Sequence, residues 1–213
     1  MAADSPAYLF TNNWFDSNTA VWKQLLQLIN PTKLLEIGSY EGKSTTFLID
    51  QLAVMRDIEI HCVDSWQGGI EHQSGGTYQI EMPAVEERFH HNIKIATQNK
   101  PHDVSIAIHK GLSTSELPKL IAEGKSGYFD FIYVDGSHQA PDVLLDAILS
   151  FALLKVNGVI AFDDYLWQED LENGTDPIRC PKIAIDAFTN IYCRKIKVLS
   201  APLSQLYIQK ISD

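Results

Sequence analysis

Residues 32–64 read TKLLEIGSYEGKSTTFLIDQLAVMRDIEIHCVD, and this stretch decides the fold class. Its two ends, TKLLEIG (32–38) and IEIHCVD (58–64), are short runs nearly continuous in apolar residues, the pattern of parallel strands covered on both faces rather than of a half-wet antiparallel sheet. Between them, GKSTTFLIDQLAVM (42–55) has the length of a crossover helix, and strand–helix–strand units of this kind build parallel sheets. The alternation continues outward. VSIAIHKG (104–111), YFDFIYVDG (128–136) and VIAFDD (159–164) read as further strands, separated by helices near PAVEERFHHNIKIA (83–96), STSELPKLIAEG (113–124) and PDVLLDAILSFALLK (141–155). Pro141 suits the first turn of the last helix. TAVWKQLLQLI (19–29) predicts an opening helix and KIAIDAFTNIY (182–192) a late one, while KIKVLSA (195–201) and LYIQKI (206–211) form an antiparallel hairpin at one edge. The expectation is a doubly wound α/β fold with a mostly parallel seven-stranded sheet, one antiparallel strand in its edge region, and helices on both faces.

Composition narrows the function class. The 213 residues suit one α/β domain, and no repeat, linker or charge block marks a boundary, so a single domain over 1–213 is expected, with a core at about 33–165 and an N-terminal helical segment at 1–30. Apolar residues at 45 % and charged residues at 21 % are an ordinary globular mix, which excludes disordered, collagen-like and coiled-coil chains. Seventeen Lys+Arg against 27 Asp+Glu give a formal charge of −10, a field that repels nucleic acid and anionic membranes and leaves a small molecule as the expected partner. The longest apolar stretch, 148–162, carries Lys155 and Asn157 and contains a turn there, so it cannot cross a membrane as one helix and no transmembrane span is expected. The start lacks a basic region followed by a long apolar run, which predicts no signal peptide and a cytoplasmic address, and makes the NGT triplet at Asn173 no glycosylation site. Cys62, Cys180 and Cys193 read as reduced thiols.

In an open α/β sheet, ligands bind beyond the carboxyl ends of the strands, and here those ends carry acids: Glu36, Asp64, Asp135, and the pair Asp163 and Asp164. Crowded carboxylates repel one another, so a bound cation is expected among them. The first turn, EIGSYEGKS (36–44), has three readings. A phosphate-binding P-loop needs four residues between its glycines, and Gly38 and Gly42 enclose three, although FDFIYVD (129–135) keeps a P-loop-like nucleotide hydrolase open as a rival. A dinucleotide fingerprint would need Gly at Tyr40 and Lys43. The remaining reading is ExGxxxG, in which the glycines let the backbone approach a ligand and Glu36 favours a cationic sulfonium, hence S-adenosylmethionine. Asp64, 26 residues after Gly38, stands where a carboxylate accepts from both ribose hydroxyls, and Trp66 follows as a shield for the cofactor.

Taken in order, LLEIGSYEGKST, IHCVDSW, HKGLS, FDFIYVDGSH and NGVIAFDDY resemble class I S-adenosylmethionine-dependent methyltransferases over about 33–165. Within that class the VDGSH strand end is similar to the metal-dependent sugar O-methyltransferases of macrolide biosynthesis. The resemblance implies a Rossmann-like fold and methyl transfer to a hydroxyl of a sugar or natural-product-like molecule. It implies cofactor contacts at Glu36, Gly38, Ser39, Tyr40, Gly42, Asp64, Ser65, Trp66, Ser113 and Asp135. It also implies magnesium or another divalent cation at Asp135, Asp163 and Asp164, and catalytic roles for Asp135 and for His138 as general base. Tyr40 departs from the family by standing where a second glycine is common. Read from residues alone, Asp135 and Asp164 also suit turn formers and His138 a structural loop histidine; the acidic cluster favours chemistry. His61, His90, His91 and His109 have no assigned role. Two polar, glycine-bearing segments, 66–83 and 165–177, are expected lids. A catalytically idle cofactor-binding domain is the second rival, and the acceptor's identity and the oligomeric state, a homo-oligomer included, stay open.

Overall fold

A computed structural model describes residues 7–70, 80–172 and 174–213. Seven strands form one sheet: β1 (Lys33–Ile37), β2 (Ile58–Asp64), β3 (Val104–Lys110), β4 (Phe129–Val134), β5 (Leu154–Phe162), β6 (Ile196–Leu199) and β7 (Leu206–Lys210), in the order β3-β2-β1-β4-β5-β7-β6. Strands β1 to β5 pair in parallel, and β7 pairs antiparallel with both β5 and β6. The expected fold class is therefore the observed one. The hairpin folds inward, so that its second strand is inserted beside β5 and its first is the outermost.

Among the described residues six α-helices cover the faces: α1 (Thr19–Ile29), α2 (Lys43–Leu52), α3 (Met82–Ala96), α4 (Ser113–Ala122), α5 (Ala140–Leu153) and α6 (Pro181–Ile191). Because side chains alternate along a strand, Leu34, Phe131 and Tyr133 face the core under α1 to α3, while Leu35, Ile132 and Val134 face the one under α4 to α6. Trp22 of α1 is wholly buried in the first core, with Phe15, Phe131 and Tyr133 edge-on around it at 4.8–5.1 Å for Phe15, Phe131 and Tyr133. The chain winds outward one way through β2 and β3 and the other way through β4 and β5, so the strand order reverses between β1 and β4, and a crevice opens at their carboxyl ends.

Two local departures from the sequence reading have clear causes. The turn expected near Asn157 lies inside β5: that strand starts at Leu154, directly after α5, and accommodates residues 155–158 as a bulge between the pairs Phe129–Leu154 and Phe131–Val159, with Asn157 at φ 70°. Ahead of α1, residues Trp14–Asn18 form a 3₁₀ turn that the pattern did not announce, and residues 8–12 run along α2 and α3. Of the expected lid at 66–83, the stretch 71–79 lies outside the described residues, as does Asn173 of the lid at 165–177. The latter segment carries a bridge between Leu171 and Gly174 and a 3₁₀ turn at Pro177–Arg179. All three cysteines are free thiols.

Candidate active site

The turn between β1 and α2 is built on two glycines. Gly38 sits at φ 84°, and a Cβ there would lie 2.0 Å from the Asp135 carbonyl oxygen, so only glycine allows the tips of β1 and β4 to approach this closely. Gly42, at φ 76°, caps α2, and a Cβ there would meet the Phe89 ring at 2.9 Å. The neighbouring tips are tied by backbone hydrogen bonds from Gly38 to Val63 (2.9 Å), from Asp135 to Ile37 (2.8 Å) and from Asp163 to Val134 (3.0 Å).

Asp64 holds the turn in shape. Its Oδ2 accepts the backbone N–H groups of Ser39 (2.9 Å) and Tyr40 (2.8 Å), and its Oδ1 accepts that of Trp66 (2.7 Å). Burial pushes its pKa above the ordinary carboxylate value, and these three donors oppose the rise. Tyr40 and Trp66 both adopt φ 48°, and the Trp66 indole donates to the Tyr40 carbonyl (3.0 Å), so Tyr40 occupies without a glycine the left-handed position that the turn requires.

These residues open onto a cavity of about 820 Å³. Gly38, Ser39, Tyr40, Asp64, Ser65 and Ser113 line one end; Asp135, His138, Asp163 and Asp164 line the other. Three of the expected cofactor contacts stand behind the wall instead. Glu36 is fully buried and its oxygens take the hydroxyls of Ser44 and Thr45 in the first turn of α2, as a carboxylate out of water must. Its pKa is raised by burial. Trp66 is 4 % exposed and packs on Phe89 at 4.9 Å, and Gly42 faces the same ring. The sequence reading placed Glu36 toward the sulfonium; the geometry makes it the anchor of helix α2.

At the other end, ligand-capable oxygens of Asp135, Asp163 and Asp164 all lie within 4.8 Å of one another. The Tyr133 hydroxyl lies between two of them, 2.9 Å from Asp135 Oδ2 and in contact with Asp163 Oδ2. A phenol has one proton to donate, so two ionised carboxylates cannot both be satisfied by it. Burial and the two acidic neighbours push Asp135 well above the carboxylate range, and burial together with Asp164 raises Asp163 to about 6. A hard divalent cation relieves this repulsion, and an all-oxygen donor set on adjacent strand ends suits magnesium. The donor chemistry fits the metal that the sequence reading expected.

His138 turns back over the cluster, its Nε2 2.9 Å from Asp164 Oδ2 and its ring stacked on Trp167 at 4.1 Å. Trp167 in turn donates its backbone N–H to the Asp164 carbonyl (2.9 Å). The roof is made by residues that sequence reasoning missed: Asn12, Trp14, Phe15, Ser17 and Asn18, with Trp14 inclined over Tyr40 at 5.6 Å. Tyr133 had a signal, since it lies two residues before Asp135 and therefore shares its face of the sheet. The roof had none.

Lys43, the residue a P-loop would aim at phosphate, is drawn away by Asp16 (2.7 Å) and the Asn12 carbonyl (3.1 Å).

A family model described as a methyltransferase domain matches residues 35–165. The chain is 28 % identical over 168 residues to a probable caffeoyl-CoA O-methyltransferase 3 of Dictyostelium discoideum, covering 74 % of this chain and 57 % of that protein. It is 30 % identical over 148 residues to caffeoyl-CoA O-methyltransferase 1 of Eucalyptus globulus, covering 67 % and 48 %. The chain thus spans about half the length of these curated relatives. Among solved structures it resembles an O-methyltransferase of Bacillus cereus in complex with SAH, at TM-score 0.66 and 18 % identity over 99 % of this chain and 86 % of that one. It also resembles the O-methyltransferase TomG of Streptomyces achromogenes in complex with SAM, at TM-score 0.63 and 14 % identity over 98 % and 83 %. These structures share the fold.

Proposed function

The chain belongs to the methyltransferase-domain family, and from that premise we propose that it moves the methyl group of S-adenosylmethionine to a hydroxyl oxygen of a small molecule, with a divalent cation, magnesium first, at Asp135, Asp163 and Asp164. The observation that carries the reading is the cavity itself, one space with the Gly38–Asp64 turn at one end and three mutually crowded carboxylates beside an imidazole at the other. S-adenosylmethionine supplies an electrophilic methyl, and a bound divalent cation lowers the pKa of a coordinated hydroxyl.

The protein's own share is positioning and proton transfer. The turn 38–42 and Asp64 hold the cofactor, with Asp64 Oδ1, which has one backbone donor, able to take a ribose hydroxyl as well. His138 Nε2 is the ring atom turned to the acids, and its 2.9 Å contact with Asp164 Oδ2 needs a proton between the two, so Nε2 can take the acceptor's proton only as the neutral ring with the hydroxyl in place of that carboxylate. The Trp167 stack fixes the plane of the imidazole.

Charge restricts the acceptor. Among the described residues lining the cavity, Lys43 is the one Lys or Arg, against Glu41, Asp64, Asp135, Asp142, Asp163 and Asp164. Neither 66–87 nor 156–178 contains a Lys or Arg, and the next basic groups along the chain are ion-paired, Arg88 with Glu41 (2.6 Å) and Arg179 with Glu169 (2.7 Å). The acceptor is therefore uncharged or cationic, and the coenzyme A ester in the relatives' names is not carried over. Among the described residues no helix is long and apolar enough to cross a membrane.

The test is calorimetric titration with S-adenosylmethionine and with ATP, followed by transfer of labelled methyl to a panel of neutral diols with chelator and with added magnesium. Binding of S-adenosylmethionine alone, with transfer lost in chelator and restored by magnesium, is expected. His138→Ala should lower kcat by about 10²- to 10⁴-fold with cofactor affinity retained. ATP binding without S-adenosylmethionine binding would overturn the reading in favour of a nucleotide hydrolase, and cofactor binding with no cation site would favour an idle domain.

A further inference from the structure

Gln205 lies in the connection from β6 to β7, distant in sequence from every acid of the site, and is fully buried. Its side-chain oxygen accepts from the Trp22 indole N–H (2.8 Å) and from the Tyr207 hydroxyl. An indole can only donate, so the amide has one orientation: oxygen toward Trp22, NH₂ toward the cluster. That NH₂ donates to Asp163 Oδ1 at 3.0 Å and approaches the Tyr133 hydroxyl at 3.5 Å. Asp163 Oδ1 also accepts the Asp164 backbone N–H (2.9 Å), while Oδ2 faces Tyr133. The plane of the Asp163 carboxylate is thereby fixed from three sides, by the Asp164 N–H at the strand tip and by two groups that reach it from the core under α1, Gln205 and Tyr133.

We infer that Gln205 is a positioning residue for the cation site: the Trp22–Gln205–Tyr207 anchor sets the direction in which Asp163 presents its oxygens to a divalent ion, although Gln205 does not touch that ion. The inference rests on the proposed use of the three aspartates as a metal site. Groups that orient a metal-ligating carboxylate from behind commonly change metal affinity 10- to 100-fold when removed. No such effect is expected on the cofactor turn, because none of the three anchor residues contacts Gly38, Ser39, Tyr40 or Asp64 through a hydrogen bond.

The probe is Mn²⁺, whose free ion is counted by electron paramagnetic resonance during titration of the full chain, with S-adenosylmethionine affinity measured in parallel by calorimetry. One Mn²⁺ per wild-type chain is expected. Gln205→Met, close in volume but without donors, should weaken Mn²⁺ by roughly 10- to 100-fold and leave the cofactor dissociation constant within about twofold. Tyr207→Phe, which removes one of the two donors holding the amide, should move Mn²⁺ affinity in the same direction by less. Wild-type Mn²⁺ affinity in Gln205→Met, or a parallel loss of Mn²⁺ and cofactor affinity, would overturn the positioning role. If Gln205→Met does not fold, Tyr207→Phe decides, and unchanged Mn²⁺ affinity there overturns it. Absence of Mn²⁺ binding to the wild type would instead remove the metal site, and this role with it.

Discussion

Asp64→Asn separates the two duties of the carboxylate that ends β2. In the native turn its Oδ2 accepts from Ser39 and Tyr40 and its Oδ1 from Trp66. An asparagine retains one oxygen, and it satisfies most donors by facing the Ser39–Tyr40 pair, which sets its NH₂ against the Trp66 N–H, formerly bonded at 2.7 Å. One backbone donor is left without a partner at a buried position, at a cost of about 1–3 kcal/mol. For a chain of 213 residues this lowers Tm by roughly 2–12 °C. The ribose contact suffers separately, since a bond to a charged acceptor contributes about 1.5–3 kcal/mol and a neutral one about 0.5–1.5. Losing on the order of 1 kcal/mol for each of one or two hydroxyls weakens S-adenosylmethionine about 5- to 30-fold. Differential scanning calorimetry and isothermal titration on the same preparation read both effects. Wild-type Tm with a wild-type dissociation constant would refute the account of Asp64 as turn pin and ribose acceptor together. A lowered Tm with intact affinity would reduce it to a pin.

Gly38→Ala should abolish measurable cofactor binding and lower stability by at least about 2 kcal/mol, because the new methyl must displace the Asp135 carbonyl from a φ that disfavours side chains; a crystal structure with an undisturbed β1–β4 tip would contradict this. Asp146, 1 % exposed, has its pKa raised by burial from 3.8 to about 7, so the native state holds its proton where the unfolded state has lost it. Its contribution is present below the unfolded pKa and is lost as pH rises toward 7, which means that Asp146→Asn should stabilise the chain more at pH 8 than at pH 5, by up to about 3 kcal/mol; parallel urea-unfolding profiles would deny it. In a methyl-transfer assay, a neutral catechol ester should exceed the matching coenzyme A thioester by at least about 100-fold in kcat/KM, a difference of roughly 3 kcal/mol, given the acidic lining; equal rates would refute the charge argument.

What could be read in the chain was what is local. The parallel strands announce themselves because a strand buried on both faces must be apolar throughout, and each such run here stops at the acid that marks its carboxyl end: IEIHCVD at Asp64, FDFIYVD at Asp135, VIAFDD at Asp163 and Asp164. The bulge in β5 misread as a turn because Asn157 and Gly158 look the same to a local pattern whether the chain reverses or merely slips register. Glu36 misread for another reason. Its distance from Gly38 suits a ligand contact, but the hydroxyls that claim it, on Ser44 and Thr45, reach it only once α2 has folded back over the tip of β1. His61 and His109, left without a role, stack on each other and share a hydrogen bond of 2.8 Å, with His61 also on Glu59 at 2.7 Å, and neither lines the cavity.

The roof of the cavity shows why distance in sequence hides part of the site. Asn92 of α3, fully buried, accepts the Leu9 N–H (2.7 Å) and donates to the Leu9 carbonyl (2.9 Å) and to the Glu41 carbonyl (2.9 Å). Glu41, inside the cofactor turn and 2 % exposed, accepts the backbone N–H (2.8 Å) and hydroxyl (2.7 Å) of Thr11 and pairs with Arg88 (2.6 Å). Two buried polar side chains thus hold the backbone of residues 9–11: if that segment moved away, Asn92 would keep its bond to the Glu41 carbonyl and Glu41 its Arg88 partner, but each would lose two hydrogen bonds at a buried position, at a cost that grows with burial. Glu41, between the glycines of the turn, therefore also serves the roof: it ties the segment that carries Asn12, Trp14 and Phe15 to the same loop that carries Ser39 and Tyr40. A polar segment without periodicity reads as a terminus when taken alone. It becomes a wall of the site because a buried acid of the turn and a buried asparagine of α3 each have two hydrogen bonds left to make, and this segment makes them.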